Sequence, residues 1–448
     1  MTLKAPAPTT KFLAVLGLSS ALLFTSGLAV SGPHHHAASQ ADAAPGQQIE
    51  KAAAFTQDLI AQHRTWAQSQ GAAKSQAQTN LIAKAEARRE FLAELVKTNP
   101  EEALRFAIPD EKQVGMPQDV LDKLEQRVEV EGELDVFYED YEDGSHILRS
   151  FVKTSFGERF ELHPVGNTKE MQSGKKVRIN GLLLGTDGES ASTDGNIVVA
   201  EGEENILMLE AGSSTTGGSN GGTPEPVANT FGEQRVAVFL VNFADNPSDK
   251  PWTKDEVMNV IAGQVNDFIQ ENSFQQTWLT VDVYGWYTAP HSSTVCDTKS
   301  IGDTGRDGAA AEGADLSSYD RIISVHPPTA ACKWSGVGSV GGAPSTTVNN
   351  GSLTHGTISH ELGHNFGLYH SHALYCNGES LSSNCSHIEY GNIPDIMGQM
   401  VPGHYNAYQK ERLGWLGYGS SPAITTVDAA GTYTIAPYAA QDNGPKAL

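Results

Sequence analysis

Apolar residues recur at helical spacing, then alternate with polar ones, then run together, and these three regimes divide the chain. From Gln48 to about Ile108 the spacing is helical. Phe55, Leu59 and Ile60 share one face, and Leu81, Ile82, Phe91, Leu92, Leu95 and Val96 continue it. Asn99-Pro100 interrupts this run, and Glu101-Glu102 open a short helix through Phe106. From Arg127 the period changes to two. Val128, Val130, Leu134, Val136 and Tyr138 alternate with acidic residues, the mark of a half-exposed strand. Further strands are expected at 145–153, 159–163, 176–184, 196–200 and 205–209, which together suggest a small barrel or sandwich. The acidic run from Glu129 to Asp143 lacks the residue order of a calcium loop, so it is expected to be a solvated strand face.

A stretch rich in Gly, Ser, Thr and Pro at 211–230 reads as a linker. Beyond it, 235–243 is a near-continuous apolar strand consistent with burial on both faces. Thr253 with Glu256 forms a capping box opening a helix to about Asn272. Strands are expected at 278–288 and 321–325, and the glycine-rich stretch from Gly336 to Asn349 is read as an irregular or edge strand. Thr354 starts a helix whose Ile358, Leu362 and Phe366 recur every four positions and face a core. A last helix is expected at 405–413 and a further strand at 432–437.

The chain has 448 residues, more than one ordinary domain, and a formal charge of -23. Such a surface repels nucleic acid and anionic membranes. Residues 1–31 read as a secretory signal peptide. Lys4 and Lys11 flank an apolar run diluted by Gly17, Ser19, Ser20, Thr25, Ser26 and Gly27, which favours cleavage over a membrane anchor. No stable membrane insertion is expected after cleavage. An exported, extracellular destination follows, with periplasmic transit in a Gram-negative cell. All four cysteines, Cys296, Cys332, Cys376 and Cys385, lie in the second half, and an even count in an exported protein reads as two disulfides. Of three connectivities, Cys376–Cys385 with Cys296–Cys332 is the choice made here.

Candidate chemistry concentrates at His360-Glu361-Leu362-Gly363-His364-Asn365-Phe366-Gly367-Leu368-Tyr369-His370. Positions i and i+4 of a helix share a face, so His360 and His364 can converge on one zinc ion. Gly367 permits the left-handed backbone that ends the helix and returns His370 as a third ligand. Three protein ligands leave one tetrahedral position open for catalysis. Glu361 stands beside the first ligand, where its carboxylate can deprotonate an activated water. His355, His372, His387 and His404 lie nearby in sequence without ligand spacing and are expected in supporting or surface roles.

This eleven-residue motif, with Asp395-Ile396-Met397-Gly398 downstream, resembles the metzincin pattern. With Arg412-Leu413-Gly414-Trp415, it is similar to the gametolysin-type secreted peptidases of family M11 over roughly 231–420. The resemblance implies zinc on His360, His364 and His370, Glu361 as catalytic base, Met397 beneath the metal, and an N-terminal pro-region removed on activation. Ser371 after the third ligand also resembles matrix metalloproteinases. Those block their zinc with a pro-region cysteine, and here no cysteine precedes Cys296. The tyrosine that some metzincins place two residues after the methionine is replaced by Gln399, and neither Tyr405 nor Tyr408 is assigned its role.

The expected architecture is an α/β (α+β) metzincin-like catalytic domain at 231–420, with a mixed sheet and a zinc helix. It follows a helical pro-segment at 32–110 and a small β-domain at 111–210 counted with the pro-region; 421–448 begins a C-terminal β segment. The expected function is a secreted zinc endopeptidase acting on extracellular or matrix-type proteins. The alternative is a catalytically weak zinc-containing adhesion or matrix-binding module. One catalytic Zn2+ is expected. Calcium dependence and oligomeric state are left open, and the partner is a protein or peptide substrate.

Overall fold

The structure, a computed structural model, describes residues 45–448 apart from 167–169, 185–192, 210–226, 377–383, 401–402, 418–423 and 443. The signal-peptide reading and most of the linker reading lie outside the described residues. The helical regime forms α1 (Pro45–Gln68) and α2 (Gly71–Thr98), which fold back on one another so that Lys84 meets Asp58 and Arg88 meets Thr56. Asn99 then caps the short helix Pro100–Arg105, its side chain accepting from the Glu102 N–H. Two further helical turns, Asp110–Gln113 and Gln118–Leu121, precede the first strand. The buried Arg88–Glu125 ion pair, at 2.6 Å, fastens α2 to that strand's start.

The alternating regime forms β1 (Gln126–Tyr141), β2 (His146–Lys153), β3 (Arg159–Pro164), β4 (Lys176–Leu184), β5 (Gly195–Val199) and β6 (Ile206–Met208). β1 is long enough to be used twice. Its first half pairs with β4 and its second half with β2, which closes the ring β1-β2-β3-β5-β4-β1. Leu134, Val136, Tyr138, Val152, Leu162, Val177, Ile179 and Ile197 fill its interior.

The third regime forms β7 (Gly232–Phe243), β8 (Thr277–Ala289), β9 (Arg321–His326), β10 (Trp334–Ser339) and β11 (Ser345–Asn350), in the order β10-β11-β9-β7-β8. Only the β10–β11 pairing is antiparallel among these five. β7 is central, and its two faces feed two cores. Val236, Val238 and Leu240 pack with Ile358, Leu362 and Phe366, while Ala237, Phe239 and Val241 pack with Ile301 and Ala309. The Thr253–Glu256 capping box opens α3 (Lys254–Met258), which runs on through a π-helical stretch, Asn259–Val265, into Asn266–Asn272. Helix α4 (Thr298–Ala311) covers the other face, where Gly305 allows contact with Phe239. α5 (His355–Asn365) is capped by Thr354, and α6 is Ala407–Arg412. Both disulfides join the expected pairs, Cys296–Cys332 and Cys376–Cys385.

Three expectations need correcting. The glycine-rich stretch is no edge: it makes two strands, and β1 pairs antiparallel with β10, joining β1 to β11 into one sheet. The acidic run is not solvated throughout, because Asp140 is completely buried. Residues 432–437 form no strand; among the described residues of the C-terminal segment there is one isolated bridge, between Ile424 and Ala447.

Candidate metal centre

Helix α5 is buried over nearly its whole length, with its N-terminus capped by the Thr354 hydroxyl. Its far end is gripped by Arg321, whose guanidinium donates to the Asn365 carbonyl at 2.5 Å, to Ser345 Oγ and to Gln234 Oε1. The Asn365 amide donates to the carbonyls of Ser339 and Thr346, pinning the helix to β10 and β11. Gly367 has φ of 93°, a conformation that L side chains rarely adopt. There the Gly367 N–H returns to the His364 carbonyl and the Leu368 N–H to Gly363, so the chain leaves the helix abruptly and carries His370 back.

The three imidazoles are oriented from behind. His360 Nδ1 bonds the Ile396 carbonyl at 2.6 Å, His364 Nδ1 bonds the Leu368 carbonyl at 2.9 Å, and His370 Nδ1 bonds Glu389 at 2.7 Å. With each Nδ1 engaged, the Nε2 atoms turn toward one another, and those of His364 and His370 lie 3.1 Å apart. Such outer hydrogen bonds fix tautomer and ring direction for metal binding. A carboxylate completes the group. Asp140 Oδ1 lies 2.9 Å from His370 Nε2, and its Oδ2 lies 3.2 and 3.5 Å from the Nε2 atoms of His364 and His360. One ligand atom from each of the four residues falls within 4.8 Å of the others. Three imidazoles and one carboxylate form a donor set suited to zinc.

Glu361, also fully buried, has neither carboxylate oxygen hydrogen-bonded to a described residue, and His360 Nε2 is likewise without a hydrogen bond. Unsatisfied buried polar atoms converging on one point fit a bound cation with its water. Room for Glu361 comes from β10. A Cβ at Gly336 would strike its carboxylate, and one at Gly338 would lie 2.7 Å from Oε2 and 3.2 Å from His364 Cβ. Beneath the helix, Met397 is fully buried with its sulfur against Gly363, held by a turn that Asp395 organises. Asp395 accepts from the Met397 and Asn406 N–H groups and from Ser371 Oγ.

The electrostatics follow from burial and charge. Burial raises the Glu361 carboxyl well above its ordinary value, and the nearby charge of Asp140 adds to the rise. Burial would raise Asp140 as well, but His370, His360 and His364 outweigh it and bring it well below the usual range. Burial lowers His364 to about 4. Burial also acts to lower His370, yet Asp140 and Glu389 more than offset it. For Glu389, burial opposes ionisation but the contact with His370 prevails, bringing it to about 2.

Sequence reasoning singled out His360, Glu361, His364, Gly367, His370 and Met397, and all six meet here. It gave no site role to Asp140, Glu389 or Tyr390, and quoted Asp395 only as part of the Met397 turn. Tyr390 donates to Asp140 Oδ1 at 2.5 Å and lies over His370 with ring centroids 4.0 Å apart. Tyr405 instead bonds the Ser359 carbonyl from within the core, and Tyr408 is exposed. The parity of β1 carried a signal for Asp140. Val128, Val130, Leu134, Val136 and Tyr138 occupy even positions, and the next even position is Asp140. Among the other histidines, His372 bonds Glu389 at 2.5 Å, His404 faces Glu271, His355 packs on Phe268, and His387 lies near His372.

Residues 262–444 match the sequence model of the gametolysin peptidase M11 family. This bears out the resemblance read from the motif and carries with it the activity class of a metallopeptidase. No curated protein matches the chain. A crystal structure of a protein of unknown function, DUF1344, from Bacteroides vulgatus aligns at 9% identity, covering 27% of this chain and 40% of that one, with a TM-score of 0.12. That likeness carries no argument.

Proposed function

We propose that this chain, a gametolysin-type metallopeptidase over residues 262–444, is the precursor of a secreted zinc-dependent endopeptidase. His360, His364 and His370 would hold the ion, and Glu361 would act as general base. The observation that carries this reading is the convergence of three Nε2 atoms beside a fully buried, unsatisfied Glu361. Zinc, when bound, would supply a Lewis acid for the scissile carbonyl and for water.

The chain's own residues do the rest. Glu361 accepts the proton of the attacking water and returns it to the leaving amine, a task suited to a carboxyl that burial raises well above its ordinary value. The Nδ1 hydrogen bonds of the three histidines hold their rings still, and Met397 fills the floor. β10 faces Glu361 with two glycines, and an extended peptide would lie along its backbone only where β1 lies in the full-length chain. Export is supported by the two disulfides, and among the described residues no helix is long and apolar enough to cross a membrane. The helical and β segments before the linker are assigned to a pro-region.

The test is Glu361→Ala in the processed form. Peptide hydrolysis should vanish while one zinc per chain remains bound. Retained hydrolysis in pure protein, or loss of the metal along with activity, would remove Glu361 from the role of base.

A further inference from the structure

Asp140 comes from a strand 220 positions before the zinc motif's first histidine and has no task in hydrolysis. It is nevertheless completely buried against all three imidazoles. We propose that Asp140 is a fourth protein ligand of the metal in the uncleaved chain, and that β1 occupies the place of an extended substrate along β10. The inference rests on the metallopeptidase reading and adds its means of restraint. A catalytic zinc site keeps one position open, and a fourth protein ligand closes it.

Several contacts seat β1. Its residues Phe137, Tyr138, Glu139 and Asp140 pair antiparallel with Ser339, Val337 and the two glycines, Asp140 lying opposite Gly336. The register shifts between Asp140 and Tyr141, a local irregularity of the kind that re-aims a side chain. Tyr138 stacks on His364 with centroids 4.6 Å apart and lies 4.1 Å from His370. Tyr390 donates to Asp140 Oδ1, the oxygen that also faces His370 Nε2. Beyond the metal centre, the Val340 N–H bonds the Val136 carbonyl, Tyr369 Oη bonds the backbone of Met171, and Arg412 pairs with Glu170. The strand thus fills the cleft and supplies an anion at the cation's position. No thiol is available for this task, since all four cysteines are in disulfides.

The test uses the full-length chain carrying Glu361→Ala, which keeps the histidines and cannot cut itself, loaded with one equivalent of Co2+. Adding Asp140→Asn should change the visible d–d spectrum and speed loss of Co2+ to a chelator by at least about tenfold. Adding Asp140→Cys should create a thiolate-to-cobalt charge-transfer band. Folded variants with the parent's spectrum and release rate would overturn the ligand assignment. Occupation of the cleft is read separately by binding of a peptide hydroxamate. Asp140→Asn should bind it at least about tenfold more tightly than the parent, and equal affinity would overturn the substrate-mimic assignment of β1. The peptidase reading fails differently: wild-type protein that stays inert with zinc after its N-terminal region is removed would sink that reading while leaving the cobalt result standing.

Discussion

The two faces of β1 carry the same residue type to opposite ends. On the outer face Glu129, Glu131, Glu133, Asp135 and Glu139 alternate along the strand, and Glu129 and Glu131 lie in solvent beside Arg178. On the inner face Asp140 follows Leu134, Val136 and Tyr138 into complete burial. The outer acids cost little and hold little, because water screens them. The inner one is tolerable only because three imidazoles and a tyrosine surround it, for an unpaired buried carboxylate would be expensive. Identical chemistry one residue apart therefore gives a solvated edge in one case and a plug in the other.

Three predictions test that contrast, the largest first. Acid offers a way to ask which buried group yields first. His326, fully buried in β9, is lowered to about 4 by burial, against about 6.5 unfolded. Its contribution to stability is complete above pH 6.5 and is lost as pH falls toward 4, because the unfolded chain then binds the proton first. Asp140, held well below its ordinary value, keeps its charge through this window. Denaturant titrations of the full-length chain at pH 7 and pH 4.5 should differ by about 2–3 kcal/mol from His326, and His326→Gln should remove that share of the loss. An unchanged pH slope in the variant would transfer the acid sensitivity to the seam around Asp140.

The middle-sized effect concerns the seam's other side. Gly338→Ala places a methyl against Glu361 and His364, where β10 has no room. A loss of about 1–3 kcal/mol in chemical denaturation is expected, with peptide hydrolysis in the processed form also reduced as Glu361 is displaced. Wild-type stability in this variant would mean that β10 and α5 are not packed as closely as described. The smallest effect belongs to the outer row. Glu131→Gln removes an exposed partner of Arg178 and should change stability by no more than about 0.5 kcal/mol, with no effect on metal release to a chelator.

Much of the site could be read directly because it is local. His360, Glu361, His364, Gly367 and His370 lie within eleven residues, and helix geometry with one left-handed glycine dictates how they converge. Met397 was reached through resemblance, since nothing in its own surroundings in sequence separates it from core packing. The elements followed the same rule. Period four placed Ile358, Leu362 and Phe366 on the core face, period two placed most of the strands, and a capping box marked the start of α3. The expected strand at 432–437 failed because alternation is a pattern that any partly exposed segment can carry, and a strand also needs a neighbour to pair with.

What the sequence determined by itself, then, is the chemistry of the motif and the sidedness of each element, both set by spacings of a few residues. What only the tertiary structure decided is which distant strand meets that motif. The pairing of β1 with β10 turns an acidic stretch inward at one position, converts an expected edge into the middle of a sheet, and brings Asp140 to the histidines. Strand pairing is written in shape, register and the room left by Gly336 and Gly338, and none of these is visible along one strand alone.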